Sequence, residues 1–207
     1  MAITIDGSGT ITGINAGGLP DGSVTAADIE SSLDLTGKTV TLPSGTGGKI
    51  LQVVSTTKTD TWSTSSATYA DVTGLTATIT PSSTSSKILA FGQIGASAAG
   101  NTSGMYFALA KGGTIISGAT GAADGNRPRA TSVYYPGDFG SGITNIFNVV
   151  PFTYLDSPAS TSALTYSIQG RKGPNVVTLY VNRSVLDRND ANFEPRYIST
   201  ITLMEVG

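Results

Sequence analysis

Few side chains in this sequence could take part in catalysis or ligand binding, and most of those offer either oxygen atoms or aromatic rings. The 207 residues include no His and no Cys, with only 12 Lys and Arg and 14 Asp and Glu. These counts exclude Ser-His-Asp triads, cysteine nucleophiles, thiolate or imidazole metal sites, and disulfides. A glycosidase needs a pair of carboxylates, and no pair of acids here is distinguished by its surroundings. We therefore expect a protein that is not an enzyme and that uses no cofactor.

One stretch has the composition of a sugar-binding loop. Tyr134, Tyr135, Asp138 and Phe139 place aromatic rings beside a carboxylate and several glycines. A flat apolar ring can pack against a sugar ring, while polar groups bond its hydroxyls. The alternative is that one or both tyrosines pack at a trimer interface or beneath a loop.

A second candidate for receptor binding is the basic pair Arg171 and Lys172. The surrounding sequence GRKGP is typical of a turn, so the pair most simply forms the tip of a hairpin. If the pair is functional, its ligand would be an anionic polysaccharide. Asp124, followed by Gly125, predicts a turn, and Trp62 is expected to be half-buried at the edge of a sheet.

Three acids near the C-terminus form a weak candidate for a metal site. Asp187, Asp190 and Glu194 fall within eight residues, and carboxylates at such spacing could hold Ca²⁺. No glycine marks the turn of a calcium loop, and Arg188 lies inside the group. A solvated loop before the last strand is therefore the favoured interpretation, with no metal.

The first 47 residues differ from the rest of the chain. They carry five acids against Lys38 alone, whereas residues 48–207 carry a small positive balance. Short apolar alternations are interrupted by glycine every few residues, and one short helix is predicted after Thr25. Such a segment cannot build a core alone, so we expect residues 1–47 to attach to a partner and to aid trimerisation. The apolar residues expected to make this attachment are Ile3, Ile5, Ile11, Ile14 and Leu19.

Residues 48–207 have the pattern of a chain of β-strands. Residues 87–98 form a nearly continuous apolar run, which is typical of a central strand, and Gly112 and Gly113 predict a hairpin. A second hairpin is expected to join strands at 163–170 and 176–181. Residues 197–206 are expected to form an internal strand that closes the fold. We predict an all-β, antiparallel, jelly-roll-like β-sandwich.

Several phrases resemble the tail-fibre-like virion structural proteins of marine bacteriophages, cyanophages especially. The resemblance covers nearly the whole chain, and its phrases are structural, with no catalytic motif. They are ITIDGSGTITG at 3–13, GLPDGSV at 18–24, residues 31–43, ILQVVSTTK at 50–58, TPSSTSSKIL at 80–89, LDSPAST at 155–161 and STITLMEV at 199–206.

The resemblance implies a homotrimeric virion surface protein, made in the host cytoplasm, with an N-terminal attachment piece and a C-terminal knob like that of tumour necrosis factor. Its expected partners are other virion proteins, through residues 1–47, and a host cell-surface glycan or protein. Neither nucleic acid nor membrane insertion is expected, because the formal net charge is −2 and no apolar run is long enough. Two alternatives stay open, namely a capsid head fibre or decoration protein, and a non-catalytic carbohydrate-binding module.

Overall fold

The computed structural model of the protein describes residues 50–99, 104–135, 147–190, 192 and 194–207. The expected N-terminal segment 1–47, its short helix and its boundary with the β domain lie outside the described residues. The same is true of the five expected attachment residues, Ile3, Ile5, Ile11, Ile14 and Leu19.

The described part of the chain is built almost entirely of β-strands, with one 3-10 turn at Ser117–Ala119. The strands are β1 (Ile50–Lys58), β2 (Trp62–Thr64), β3 (Ala70–Ile79), β4 (Lys87–Ala99), β5 (Met105–Lys111), β6 (Thr114–Ile115), β7 (Ser132–Tyr134), β8 (Phe147–Asp156), β9 (Leu164–Lys172), β10 (Thr178–Val181) and β11 (Ser199–Val206).

Sheet 1 has four strand positions side by side. β4 pairs antiparallel with β8 along one edge and, along its other edge, with β11 and then β10. β1 pairs with β11, and β2 pairs with β10. Two strand positions therefore lie on this side of β4, and each is made of two strands that are consecutive in the chain. The position beside β4 consists of β10 and β11, and the edge position consists of β1 and β2. β4 itself runs the full length of the sheet.

Sheet 2 also has four positions. β9 lies between β3 and β5, and the free edge of β5 pairs with β6 at one end and with β7 at the other. The pairs β1 and β2, β6 and β7, and β10 and β11 each count as one position, so the two sheets have eight positions in all. Numbered along the chain, these positions have the order first, eighth, third, sixth in sheet 1. In sheet 2 the order is second, seventh, fourth, fifth. This is the order of a jelly roll, so the predicted antiparallel sandwich is confirmed.

The core lies between the two sheets and takes alternate side chains from each strand. In β11, Ile201 and Leu203 point inward and are fully buried, whereas Thr202 and Met204 point to the outer face. From sheet 2, Phe107 and Tyr166 pack into the same cluster. The period of two in the sequence therefore decides which residues form the core and which remain for the two outer faces.

The two predicted hairpins had different outcomes. Gly112 and Gly113 have φ values of 57° and 77°, the left-handed backbone that a tight hairpin turn requires, and they join β5 to β6 as predicted. The hairpin expected at residues 171–174 is wrong. β9 continues through Arg171 and Lys172, and the chain then crosses to the other sheet, where β10 pairs with β4 and β2.

Asn182 fills a gap in sheet 1. The edge position of sheet 1 is interrupted between β1 and β2, and the position beside it is interrupted at the same level between β10 and β11. Asn182 is fully buried there, and its Nδ2 donates to the carbonyl oxygens of Lys58 at 2.8 Å and Asp60 at 3.0 Å. Its Oδ1 accepts from Ser199 Oγ at 2.7 Å, and that Oγ accepts from the Gly95 backbone N–H at 3.0 Å. The side chain thus supplies hydrogen bonds that the interrupted ladder lacks.

Glu205 is a fully buried carboxylate near the end of β11. Gln52 Nε2 donates to its Oε2 at 2.6 Å, and the backbone N–H and hydroxyl of Ser82 donate to its Oε1. These hydrogen bonds, led by the one from Gln52, favour the charged form and lower the pKa of Glu205 to about 2. Its contribution to stability is therefore present above the pKa of an unfolded glutamate, about 4.3, and is lost as the pH falls through about 2.

We predict that deleting residues 198–207 abolishes soluble folding. The deletion removes β11, which lies between β1 and β4, and it leaves two strand edges and the core side chains around Leu203 without partners. The measurement is the soluble yield, followed by thermal melting monitored by circular dichroism. Deletion of Gly207 alone is the control and should leave melting unchanged. Soluble truncated protein that melts cooperatively would contradict the prediction.

We also predict that Asn182→Asp lowers the free energy of unfolding by at least about 3 kcal/mol. The substitution keeps the shape but replaces the Nδ2 donor with a carboxylate oxygen that faces two carbonyl oxygens in a buried place. The matched control is Asn126→Asp in an exposed turn, which should change stability by less than about 0.5 kcal/mol. Urea unfolding at one fixed protein concentration measures both, and equal midpoints for the two variants would contradict the role of Asn182.

Candidate functional site

The outer face of sheet 2 carries a row of aromatic residues around one arginine. Gly170 faces the core, where an added Cβ would lie 3.2 Å from Leu179, so its neighbour Arg171 points outward. Arg171 pairs across the strands with Tyr106, which lies between the core residues Met105 and Phe107 and also points outward. Tyr69 immediately precedes β3 and Tyr135 immediately follows β7, on either side of this pair. We name Tyr69, Tyr106, Tyr135 and Arg171 the arginine–tyrosine cluster.

The guanidinium of Arg171 contacts two tyrosine rings. Its Cζ lies 5.1 Å from the ring centroid of Tyr106 and 5.6 Å from that of Tyr69. Both distances are within the range of cation–π attraction. The hydroxyls of Tyr106 and Tyr135 are hydrogen-bonded at 2.8 Å, and their rings meet edge to face with centroids 6.2 Å apart. The four side chains therefore form one continuous contact group.

The connection between β6 and β7 holds the Tyr69 side of the cluster in place. Tyr69 donates its hydroxyl hydrogen to the carbonyl oxygen of Arg129 at 2.6 Å. The guanidinium of Arg129 in turn donates to the carbonyl oxygens of Gly121 and Ser117. Tyr69 precedes β3 at one edge of sheet 2, and Arg129 precedes β7 at the other edge. Their hydrogen bond therefore brings the connection over the outer face of the sheet.

The hydroxyls of Tyr69 and Tyr106 stay neutral well above physiological pH. Burial disfavours the phenolate and raises the pKa of Tyr69 to about 12, although the nearby charge of Arg171 acts in the opposite direction. Burial, together with the hydrogen bond to Tyr135, likewise raises the pKa of Tyr106 to about 12. Neither of these two hydroxyls is therefore a phenolate that could cancel the positive charge of Arg171 at neutral pH.

The structure brings together some of the residues predicted for receptor binding and separates others. Tyr135, which is 57% exposed, and Arg171 belong to one cluster. Tyr134 packs against the core instead. Lys172 ends β9, with its backbone N–H donating to Ser66 and its side chain on the face opposite to Arg171. Asp138 and Phe139 lie outside the described residues.

Two members of the cluster were not predicted from the sequence. Tyr106 stands in the strand pattern MYFALAK, and its place between two core positions was the one local signal that it faces outward. Tyr69 had no local signal that distinguishes it. Both residues reach Arg171 only through the pairing of strands far apart in sequence.

The weak metal candidate has a different structure from a calcium loop. Asp187 pairs with Arg196 at 2.8 Å, and Arg188 pairs with Glu194 at 2.7 Å. Burial alone would raise the pKa of Glu194, but hydrogen bonds from Arg188 and Ser184 lower it below its usual value. Asp190 is exposed. Among the residues that the structure describes, no three acidic side chains come together as a group that could hold a metal ion.

Other acidic side chains in the described strands and loops serve local structure. Asp156 accepts hydrogen bonds from Lys111 and Tyr166 at 2.6 Å each. Asp124 stands at a turn followed by Gly125, whose φ is 56°, and pairs with Arg127, as expected of a turn residue. Trp62 lies half-buried on the edge strand β2, as predicted, and it also packs against the core.

No protein-family model matches the chain, and no curated protein matches it significantly. In the part of the chain that the structure describes, no helix is both long enough and apolar enough to span a membrane.

We predict that Tyr69 and Tyr106 stay largely neutral between pH about 9 and about 11, where an ordinary tyrosine passes through the midpoint of its titration. The protein contains 8 tyrosines. Absorbance at the phenolate band should therefore rise equally over this range in the wild type and in a Tyr69→Phe, Tyr106→Phe double variant. A smaller rise in the double variant would show that the two hydroxyls titrate normally and are not desolvated.

Proposed function

We propose that this protein is a non-enzymatic structural protein of a bacteriophage virion, displayed on the particle surface as a homotrimeric tail fibre or tip. In this proposal the β-sandwich is a knob that contacts the host surface, where its ligand is a glycan. Residues 1–47 attach the knob to the particle. The number of copies, three, comes from the resemblance of the sequence to tail-fibre-like proteins.

The observation that carries the proposal is an apolar row on the outer face of sheet 1. The strand register places Val53 beside Met204, Met204 beside Leu89, and Leu89 beside Leu155. These four side chains belong to four adjacent strand positions, and all point away from the core. Val53 and Leu155, at the two ends of the row, are 53% and 47% exposed.

The surroundings of this row favour association with copies of the same chain. The row on one side of it, across the same four strands, is Ser55, Thr202, Phe91 and Thr153, which carries no charge, whereas the row on the other side includes Val206 and the exposed Lys87. Apart from Lys87 at the start of β4, these rows offer a charged partner nothing to pair with, and contiguous apolar surface of this kind marks protein interfaces. Most soluble oligomers are built from copies of one chain. The face therefore supports a homo-oligomer joined through sheet 1.

The composition supports the same function. Few ion pairs hold the surface together, because only 13% of the residues are charged. Such a surface depends little on ionic strength, which suits a particle in sea water. Without disulfides, the durability of the knob would come from packing between subunits.

We predict that the wild-type protein is a trimer at micromolar concentration and that Val53→Lys weakens the trimer at least about tenfold. The lysine would bury an unpaired charge in the proposed interface. The matched control is Val177→Lys, because Val177 is 66% exposed and its backbone bonds Ala99, at the opposite end of β4 from Leu89 and the apolar row. Light scattering after size-exclusion chromatography gives the mass of each protein, and circular dichroism checks that each is folded. A wild-type monomer, or equal weakening by both substitutions, contradicts this interface.

The location on the virion is tested with gold-labelled antibody against the protein and electron microscopy of the phage that encodes it. Label at the tail supports a fibre or tip, whereas label on the capsid favours the head fibre or decoration protein. Absence of label overturns the virion proposal. Host binding is tested separately by adding purified protein before infection. Unchanged infection at a saturating dose would contradict a role in host contact.

A further inference from the structure

Arg171 differs from the other arginines of the described chain in having no polar partner there. Arg127, Arg183, Arg188 and Arg196 form ion pairs, and Arg129 donates to two carbonyl oxygens. The Nε of Arg171 is buried and has no hydrogen-bond acceptor, and its guanidinium has no ion pair within the described residues. A buried donor without an acceptor is unfavourable, so a native site of this kind calls for an explanation.

The nearest acid on the same face does not neutralise this arginine. Asp71 on β3 pairs across the sheet with Gln169, two residues before Arg171. Its Oδ1 accepts hydrogen bonds from Ser167 at 3.2 Å and from Gln169 at 3.1 Å. No carboxylate oxygen in the described part of the chain lies within ion-pair distance of the Arg171 guanidinium, and the cluster keeps a net charge of +1.

The tyrosine rings fix the direction of the guanidinium. Arg171 lies over Tyr106 and Tyr69, so both rings restrict its rotation. A planar guanidinium held in this way can present paired N–H groups to two oxygens of one anion. Because its orientation is already restricted, less conformational entropy is lost when it binds an anion.

Tyr135 and Tyr106 add features that suit a sugar. Each hydroxyl carries one hydrogen, and their mutual hydrogen bond uses only one of the two. One O–H therefore remains as a donor beside the guanidinium. Tyr135 is 57% exposed, and its ring offers an apolar surface at the rim of the same cluster.

We propose that the arginine–tyrosine cluster binds one anionic group, a carboxylate or a sulfate ester, carried on a sugar ring of a glycan. Arg171 binds the anion, the remaining hydroxyl of the Tyr106–Tyr135 pair donates to it, and Tyr135 packs against the sugar ring. This inference rests on the proposed function, because it names the class of host-surface glycan that the knob contacts.

The test measures binding of the full-length protein to immobilised polygalacturonate, dextran sulfate and unmodified dextran at about 0.15 M salt. We expect binding to at least one of the two charged polymers and none to neutral dextran. Arg171→Met should reduce that binding at least about tenfold, because it keeps much of the stem but removes the charge. Arg171→Lys should recover part of the loss.

The matched control is Arg183→Met. Arg183 also lies over a tyrosine ring, 4.6 Å from the centroid of Tyr180, but it is paired with Asp187. This variant should bind within about twofold of the wild type. Competition with galacturonate, with glucose 6-sulfate and with sodium sulfate then separates an anion on a sugar from a bare anion. Equal inhibition by sodium sulfate at the same concentration overturns the sugar assignment.

The inference is also overturned if no charged polymer binds the wild type, or if Arg171→Met and Arg183→Met bind alike. Failure of the inference is distinguishable from failure of the proposed function. A protein that labels virions and blocks infection but binds no anionic glycan keeps the function and loses the ligand. A protein that binds anionic glycan through Arg171 but labels no virion keeps the ligand site and loses the virion assignment.

Discussion

The hydrogen bonds of Asn182 join the strands of sheet 1 at the place where two of its four strand positions are interrupted. β4 runs through this level without a break, while the two strand positions beside it both stop and resume. Left-handed backbone at Asn182, with φ 62°, turns the chain out of β10, and the same residue's side chain bonds the carbonyl groups where β1 ends. Without it, the segments on either side would be two short ladders that share only β4. The apolar row on the outer face of sheet 1 depends on this continuity, because its register follows from the pairing of β1, β11, β4 and β8.

Local sequence was enough to predict the strands and the class of fold. The apolar run that became β4, the hairpin at Gly112 and Gly113, and the internal position of β11 were all confirmed. The hairpin expected around Arg171 was wrong because nothing local distinguishes a turn that stays within a sheet from one that crosses to the other sheet. That choice is made by long-range pairing, here of β10 with β4.

The same limit applied to the candidate site. Arg171 and Tyr135 were singled out by residue type, but their neighbours Tyr69 and Tyr106 come from strands whose pairing the sequence does not reveal. Asp187 and Glu194 show the converse. Their spacing resembles that of metal ligands, but both carboxylates form ion pairs with arginines that lie nearby in sequence or in space.

The two outer faces of the sandwich lie on opposite sides of one core, and this separation has a consequence for binding strength. An assembly joined through sheet 1 would leave the arginine–tyrosine cluster of every copy open on sheet 2. Three weak contacts with one polysaccharide chain would then act together, because the first contact raises the local concentration of sugar for the second and third. A single cation per subunit could in this way give firm adhesion to a repetitive glycan while remaining weak toward an isolated sugar.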